Sequence, residues 1–275
     1  TTEIYTLSLH DALPILLADS FNNMALRLKE LDDMKSEFIS VVSHELKTPL
    51  TSMKEAASLL LEGLAGAMSD RQKRLVEIMD QGIRRLLHTV SELLDMSRIE
   101  SGMVRLNREL HDMNTVMSSF ISEISPIADA GSVEIKVDYA VESCEVMVDR
   151  NKILQVLTNL THNAIKYSPE GSRVEIRIRN SDGCITTEIE DHGKGIPEED
   201  LPRIFEKFYQ SRYTRGHGGI GLGLAISRGI VNAHGGSMYA QSNVGKGSVF
   251  SFSLPCARGH ADTPGVCEGI SLHED

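Results

Sequence analysis

The residues best equipped for chemistry lie in one octad, Ser43-His44-Glu45-Leu46-Lys47-Thr48-Pro49-Leu50. It sets a nucleophilic imidazole beside a carboxylate. An imidazole is mostly unprotonated near pH 7, so a ring nitrogen of His44 is available to attack an electrophilic phosphorus. Glu45 is the natural partner, accepting the proton of the other ring nitrogen and stabilising charge during attack. Thr48 follows His44 by one helical turn on the same face, where a hydroxyl is placed to hold a water. A surface charge at Glu45 and a plain helix-surface residue at Thr48 are the bland alternatives.

Three more groups follow far downstream. Asn159 and Asn163, within Asn159-Leu160-Thr161-His162-Asn163-Ala164, are spaced i and i+4, so both amides face one way on a helix. Asp191-x-Gly193-x-Gly195 follows a strand pattern, and its glycines permit positive φ and close approach of backbone to a ligand. Gly219-x-Gly221-x-Gly223 opens a helix, where free backbone N–H groups favour phosphate. Taken singly, each is also explained by an ordinary surface or turn. The last is no dinucleotide fingerprint, because no strand immediately precedes it.

In this order and at these separations, the four pieces resemble the sensor histidine kinases of two-component signalling over residues 16–255. The three downstream groups are similar to the Bergerat ATP-binding fold of histidine kinases, gyrase-type ATPases, Hsp90-type chaperones and mismatch-repair ATPases. The resemblance implies ATP and Mg2+ as cofactors. Asn163 would be an oxygen ligand to Mg2+, a cation that prefers hard oxygen donors. Asn159 would support that site, Lys166 neutralise phosphate charge, and Tyr167 pack near the nucleotide. Asp191 would accept a hydrogen bond from the adenine amino group, with Gly193, Gly195, Gly219, Gly221 and Gly223 lining the nucleotide. Phe205-Glu206-Lys207-Phe208-Tyr209 and the stretch to Gly218 read as a lid over the nucleotide, with Arg212 and Arg215 read as solvated loop charges ahead of the alternative that they reach phosphate. Gly245-Lys246-Gly247-Ser248 resembles the last glycine turn of the same fold and is expected to be structural. Ser248 stands where a threonine is frequent and His192 where an asparagine is frequent; neither departure removes an essential group.

The implied activity is ATP-dependent phosphorylation of His44, then transfer to an aspartate of a response-regulator receiver domain. The His-Glu-x-x-Thr pattern also implies dephosphorylation of that regulator. Two rivals stand beside it. A gyrase- or Hsp90-type ATPase needs an acidic residue in the asparagine helix to activate water, and Thr158 and His162 offer none. A non-catalytic, nucleotide-binding dimeric adaptor is disfavoured by the intact His44, Asn163 and Asp191.

The elements that must carry these residues are legible in the apolar pattern. Leu17, Phe21, Met24, Leu28 and Leu31 repeat at helical spacing. Residues 16–31 resemble the second helix of a HAMP relay domain, with a plain coiled-coil lead-in as the alternative. The stripe continues through Met34, Phe38, Val42, Leu46, Leu50, Met53, Ala57, Leu60 and Leu64. His44 sits roughly 160–200° from Val42 and Leu46, away from this seam and towards solvent. Pro49 removes one backbone donor and is expected to bend the helix one turn beyond His44. Gly63, Gly66 and Ser69 mark a turn, and Ser69 with Gln72 has capping-box spacing for a second helix with stripe Leu75, Met79, Ile83, Leu86, Val90 and Leu93. Such a hairpin leaves its seam half exposed, so a homodimer forming a four-helix bundle is expected.

Beyond residue 101 the character changes. Residues 133–137, 174–178, 185–189 and 248–254 read as strands, and 153–167 and 222–233 as helices, which together give a two-layer α/β sandwich. The fold class is therefore α+β: a dimeric helical hairpin over 32–101, a hinge near 100–104, and an ATP-binding α/β domain over 102–255. Residues 256–275 read as a flexible tail. Residues 1–15 lack an initiator Met and look like a translated sequencing-library adapter, so they are set aside from fold reasoning.

The 275 residues suit two domains. A formal net charge of −11 argues against a nucleic-acid partner. Cys144, Cys184, Cys256 and Cys267 form no metal-ligand spacing and are expected to be reduced thiols in a cytosolic setting. No run reaches the ~18 apolar residues of a membrane span. The expectation is a soluble, cytoplasmic portion of an inner-membrane sensor, joined to the membrane only through a missing N-terminal region.

Overall fold

The computed structural model describes residues 9–102, 104, 106–139, 145–181, 183–211 and 219–257. The chain divides into two compact units, Thr1–Gly102 and Met103–Asp275. The first is a helical hairpin of α1 (Leu9–Leu61) and α2 (Asp70–Glu100). The expected turn lies between them, with Gly63 and Gly66 at φ of 77° and 105°, a region costly for any residue with a Cβ. Ser69 then caps α2 by a full capping box: its hydroxyl accepts from the Gln72 N–H while the Gln72 amide oxygen accepts from the Ser69 N–H at 2.9 Å. α1 is one unbroken helix from Leu9, so its first turns lie inside the segment 1–15, and it continues through Pro49.

The long apolar stripe of α1 does not face one neighbour, as the sequence pattern suggests. Within the hairpin, Ile39, Ser43, Leu50, Ala57 and Leu60 are among the covered or partly covered positions of α1, and Val76, Asp80 and Val90 are among the buried ones of α2. Met34, Phe38, Leu46 and Met53 remain exposed, as do Leu75, Met79 and Leu86 of α2. Two helices can cover only one flank of each other. The uncovered apolar flank is wide on both helices.

The second unit begins with β1 (Glu109–Asp112), which pairs antiparallel with β3 (Glu145–Val148) in a small ribbon. Its main sheet runs in the order β2-β4-β5-β7-β6, from Glu134–Asp138, Arg173–Ser181, Cys184–Asp191, Gly247–Pro255 and Ser237–Asn243. β2 runs parallel to β4 and the other pairs are antiparallel. The apolar alternation of β4 and β5 turns Val174, Ile176, Ile178, Ile185 and Ile189 inwards, all fully buried. On that face pack α3 (Met113–Ala130), α4 (Arg150–Tyr167) and α5 (Gly223–Ala233), bringing Phe120, Leu157, Leu160 and Ile230 to the sheet. The opposite face is charged but balanced: Arg177 pairs with Glu175 and Glu190 at 2.8 and 2.6 Å, and Arg179 with Asp138 at 2.6 Å. The four strands and two helices expected from sequence are all present. α3, β1, β3 and β6 are additions to that list.

Cys184 is disulfide-bonded, a correction to the expectation of four reduced thiols: the fold brings a partner to it that sequence spacing does not reveal. Cys256 is the free cysteine among the described residues.

A partly buried polar hub ties the start of α4 to the end of α5. Asp149 caps α4, its Oδ1 accepting from the N–H groups of Asn151 and Lys152, while its Oδ2 accepts from the Asn107 N–H at 3.1 Å. The Asp149 N–H donates to Nε2 of His234 at 3.0 Å, and Nδ1 of His234 lies 2.8 Å from the Ile230 carbonyl. These partners require the neutral imidazole with its proton on Nδ1. Burial pushes the His234 pKa down, and the nearby Arg108 adds to the effect, against the Ile230 hydrogen bond and Asp149. A base with a depressed folded-state pKa binds fewer protons folded than unfolded. Its contribution is intact above the unfolded value of about 6.5 and is lost as pH falls below it. The melting temperature of the 103–275 unit is therefore expected to drop between pH 7 and pH 5, and less steeply in His234→Gln. Burial shifts Asp191 upwards, a trend of opposite sign, so the difference between the two proteins isolates the imidazole.

Candidate functional site

On the helical unit, α1 places His44 and Glu45 on open surface, with side chains 80 and 77% exposed. Nδ1 of His44 lies 3.6 Å from Oε1 of Glu45. Nδ1 is therefore the ring nitrogen nearer the carboxylate, at a distance beyond hydrogen bonding. The neighbouring Ser43 is buried against α2, which fixes the rotational phase of the helix and so the outward aim of His44. The Thr48 hydroxyl donates to the His44 carbonyl at 3.2 Å, so it sits one turn along as expected but engaged with the helix backbone. Pro49 has no N–H for the Glu45 carbonyl, so the helix is short of one rung beside His44.

On the second unit, four elements converge. β5 ends at Asp191, which is buried. Its Oδ1 accepts from the Gly193 N–H at 2.9 Å. Burial raises the carboxyl pKa, opposed by hydrogen bonds from Gly193 and Ser248. A Cβ at Gly193 would stand 2.5 Å from the Tyr167 carbonyl and 2.8 Å from Oδ1 of Asp191, so glycine is required there by backbone proximity. The following loop is locked to the β6–β7 turn: the Ile196 N–H donates to Oγ of Ser242 at 2.7 Å, and Oγ of Ser242 lies 2.9 Å from Oγ of Ser248. Serine at 248 thus keeps the hydroxyl that Asp191 needs.

α4 carries Asn159, Asn163, Lys166 and Tyr167. Asn159 donates through Nδ2 to Oγ of Ser227 on α5 at 2.8 Å, and its amide occupies the space a Cβ at Gly223 would take. The third glycine of the triplet therefore serves helix contact first, holding the N-terminus of α5 against α4. That N-terminus has Leu222 at the cap position and no side-chain cap, so its N–H groups are open to an anion. Asn163 is half buried on the same face of α4, and no hydrogen bond among the described residues engages its amide. A single open amide oxygen suits Mg2+, which keeps waters and phosphate oxygens as its other ligands. Among the described residues, no group of three or more His, Cys, Asp or Glu forms a metal cluster. Nζ of Lys166 lies 4.9 Å and Nζ of Lys194 5.4 Å from the Tyr167 ring centre, giving two cations beside one aromatic face. Lys194, Ser227 and Ser242 escaped the sequence reading, because their roles depend on partners many residues away. Gly219 and Gly221 have φ of 96° and 77°. Residues 212–218, with Arg212 and Arg215, lie outside the described residues, as does most of the 256–275 tail.

A buried carboxylate, an asparagine face and an uncapped glycine-led helix thus meet on the second unit, and an exposed His-Glu pair stands on the helical hairpin of the first. Family models match both: residues 34–102 match the His Kinase A (phospho-acceptor) domain, and residues 148–258 the histidine kinase-, DNA gyrase B-, and HSP90-like ATPase. The chain is 36% identical to the sensor histidine kinase WalK of Bacillus subtilis, over 82% of this chain and 38% of WalK. It is 32% identical to the sensor histidine kinase MtrB of Mycobacterium tuberculosis, over 90% of this chain and 45% of MtrB. Among solved structures, full-length ShkA in complex with AMPPNP superposes with a TM-score of 0.69 at 26% identity, over 80% of this chain and 45% of that one. The Acinetobacter baumannii histidine kinase AdeS gives a TM-score of 0.56 at 27% identity, over 78% of this chain and 98% of that one. The chain belongs to the sensor histidine kinases of bacterial two-component systems. It spans about two fifths of the length of these curated relatives. Among the described residues, no helix is long and apolar enough to cross a membrane.

Proposed function

We propose that this chain is the kinase portion of a sensor that phosphorylates its own His44 from Mg-ATP and passes the phosphoryl group to a response-regulator aspartate. The observation that carries the proposal is the outward-facing His44–Glu45 pair in a chain that also holds the Asp191–Asn163 nucleotide site. Bound Mg-ATP supplies the phosphoryl group and the cation that offsets its charge. Nε2 of His44 attacks the γ-phosphorus, the bond from phosphorus to the β–γ bridging oxygen breaks, and ADP leaves. As the ring becomes cationic, Glu45 offsets its charge and accepts the Nδ1 proton, leaving a neutral phosphoimidazole. Asp191 selects adenine by accepting from its amino group, Asn163 offers its amide oxygen to Mg2+, and Asn159 braces that helix against α5. Lys166 and the open N–H groups behind Gly219, Gly221 and Gly223 face phosphate, with Tyr167 beside the nucleotide. Thr48 turns from the His44 carbonyl to hold the water that dephosphorylates the regulator.

The exposed apolar flank of α1 and α2 supports a homodimer in which two hairpins close a four-helix bundle. The exposed heptad-like run Leu17, Phe21, Met24, Leu28 and Leu31 supports a HAMP-type lead-in continuous with α1, and with it a membrane-anchored parent protein. The test is phosphotransfer. Chain labelled from γ-labelled ATP and freed of nucleotide is mixed with a receiver domain. Label is expected to move to the receiver in base-labile form; label that stays on the chain for every receiver tried counts against the transfer step.

A further inference from the structure

The structure assigns Tyr209 as a positioning residue for the phosphate-binding glycine loop, an inference that rests on the nucleotide site proposed above. Its hydroxyl donates to Oδ1 of Asp200 at 2.5 Å, and Asp200 is buried at the start of a single 3-10 turn, Leu201–Arg203. The guanidinium of Arg203 stacks 4.4 Å from the Tyr209 ring centre and pairs with Glu206 at 3.2 Å. Hydrogen bonding to Asp200 holds the phenol pKa up, so the hydroxyl remains a donor across the working pH range.

The two residues flanking Tyr209 hold the glycine loop itself. The Phe208 N–H donates to the Gly221 carbonyl at 2.9 Å, and Nε2 of Gln210 donates to the Gly219 carbonyl at 2.8 Å. A Cβ at Gly221 would stand 2.6 Å from the Tyr209 carbonyl, so the two backbones are in direct contact. Phe208 makes its contact from φ of 60° while the residue is 62% exposed. A non-glycine residue in that region is strained, and an exposed ring supplies no packing to offset it. The compensation comes from next door: the Tyr209–Asp200 bond fixes the turn that presents Phe208 N–H and the Gln210 amide to the loop. With that bond gone, Phe208 can relax and both carbonyls are released. The loop must then be ordered by the ligand's phosphates at the moment of binding.

The loop meets phosphate and not the base, which gives the test its discrimination. Equilibrium binding of ATP and of adenosine is measured on the full chain, for the unmodified protein, Tyr209→Phe and Asp200→Asn, beside thermal melting. Tyr209→Phe is expected to weaken ATP about 10-fold, with adenosine affinity unchanged and the melting temperature lowered by only a few degrees. Asp200→Asn keeps an oxygen acceptor for the hydroxyl and is expected to lose less. Unchanged ATP affinity in Tyr209→Phe overturns the assignment. So does an equal loss for ATP and adenosine, which would mark a general packing role. Because the readout is binding, it stands whether or not His44 becomes labelled. Failure of the unmodified chain to bind ATP would instead strike the nucleotide site itself.

Discussion

Replacing His44 with Gln is expected to leave the chain with no phosphoryl label, at any ATP concentration, while ATP binding stays at the level of the unmodified protein. Glutamine fills similar space and can hydrogen-bond, but its amide has no basic lone pair to attack phosphorus. The structural cost is small. His44 is exposed, glutamine is at least as good a helix former, and exposed substitutions typically change stability by only ~0.5 kcal/mol. Nucleotide binding belongs to the separate 103–275 unit, so a loss of label with retained binding isolates the acceptor. Glu45→Ala is expected to fall between the two, with label appearing about 10²-fold more slowly, the usual weight of one acid–base group. Label accumulation on a filter or gel, beside calorimetric ATP titration, checks both.

Asp191→Asn is expected to weaken ATP about 100-fold, near 3 kcal/mol, the upper end for one hydrogen bond to a charged group. The buried carboxylate already accepts from the Gly193 N–H and from Ser248, so its environment consists of donors. An asparagine turns an NH2 group towards either those donors or the adenine amino group, and one of them is left facing another donor. The fold should tolerate the change. Burial opposes the charge on Asp191, so removing that charge returns part of what the mismatched hydrogen bond costs. A melting temperature close to the unmodified value, with the ATP titration nearly flat, is the expected pair of results. A melting temperature that collapses with binding would make Asp191 a structural residue first.

The sequence is most legible where a single element decides the outcome. The apolar alternation around Val174 and Ile185 falls on strands whose inward faces are fully buried. The Ser69–Gln72 spacing is a true capping box. The phase of His44 relative to the apolar stripe already turns it outwards, and its side chain is exposed. Local spacing fails where a role depends on distant partners. His234 bonds to Asp149 across 85 positions, and Asn159 to Ser227 across 68. β6 is hidden because Ser237, Gln241, Ser242 and Asn243 give it no apolar alternation, although it pairs along its length with β7. α3 does carry a helical stripe in Met113, Val116, Met117, Phe120 and Ile124, but several serines and Pro126 dilute it. The stripe of α1 is real as a pattern and misleading as a single seam. Within one chain only part of it is covered.

The central claim is that phosphorus becomes bonded to an imidazole nitrogen of this chain. The most direct measurement is the chemical stability of the label after the unmodified chain is incubated with γ-labelled ATP and Mg2+ and then stripped of nucleotide. A phosphorus–nitrogen bond to His44 gives label that is lost in acid and survives alkali. Label that resists acid, or a chain that binds ATP and takes up none, contradicts the assignment.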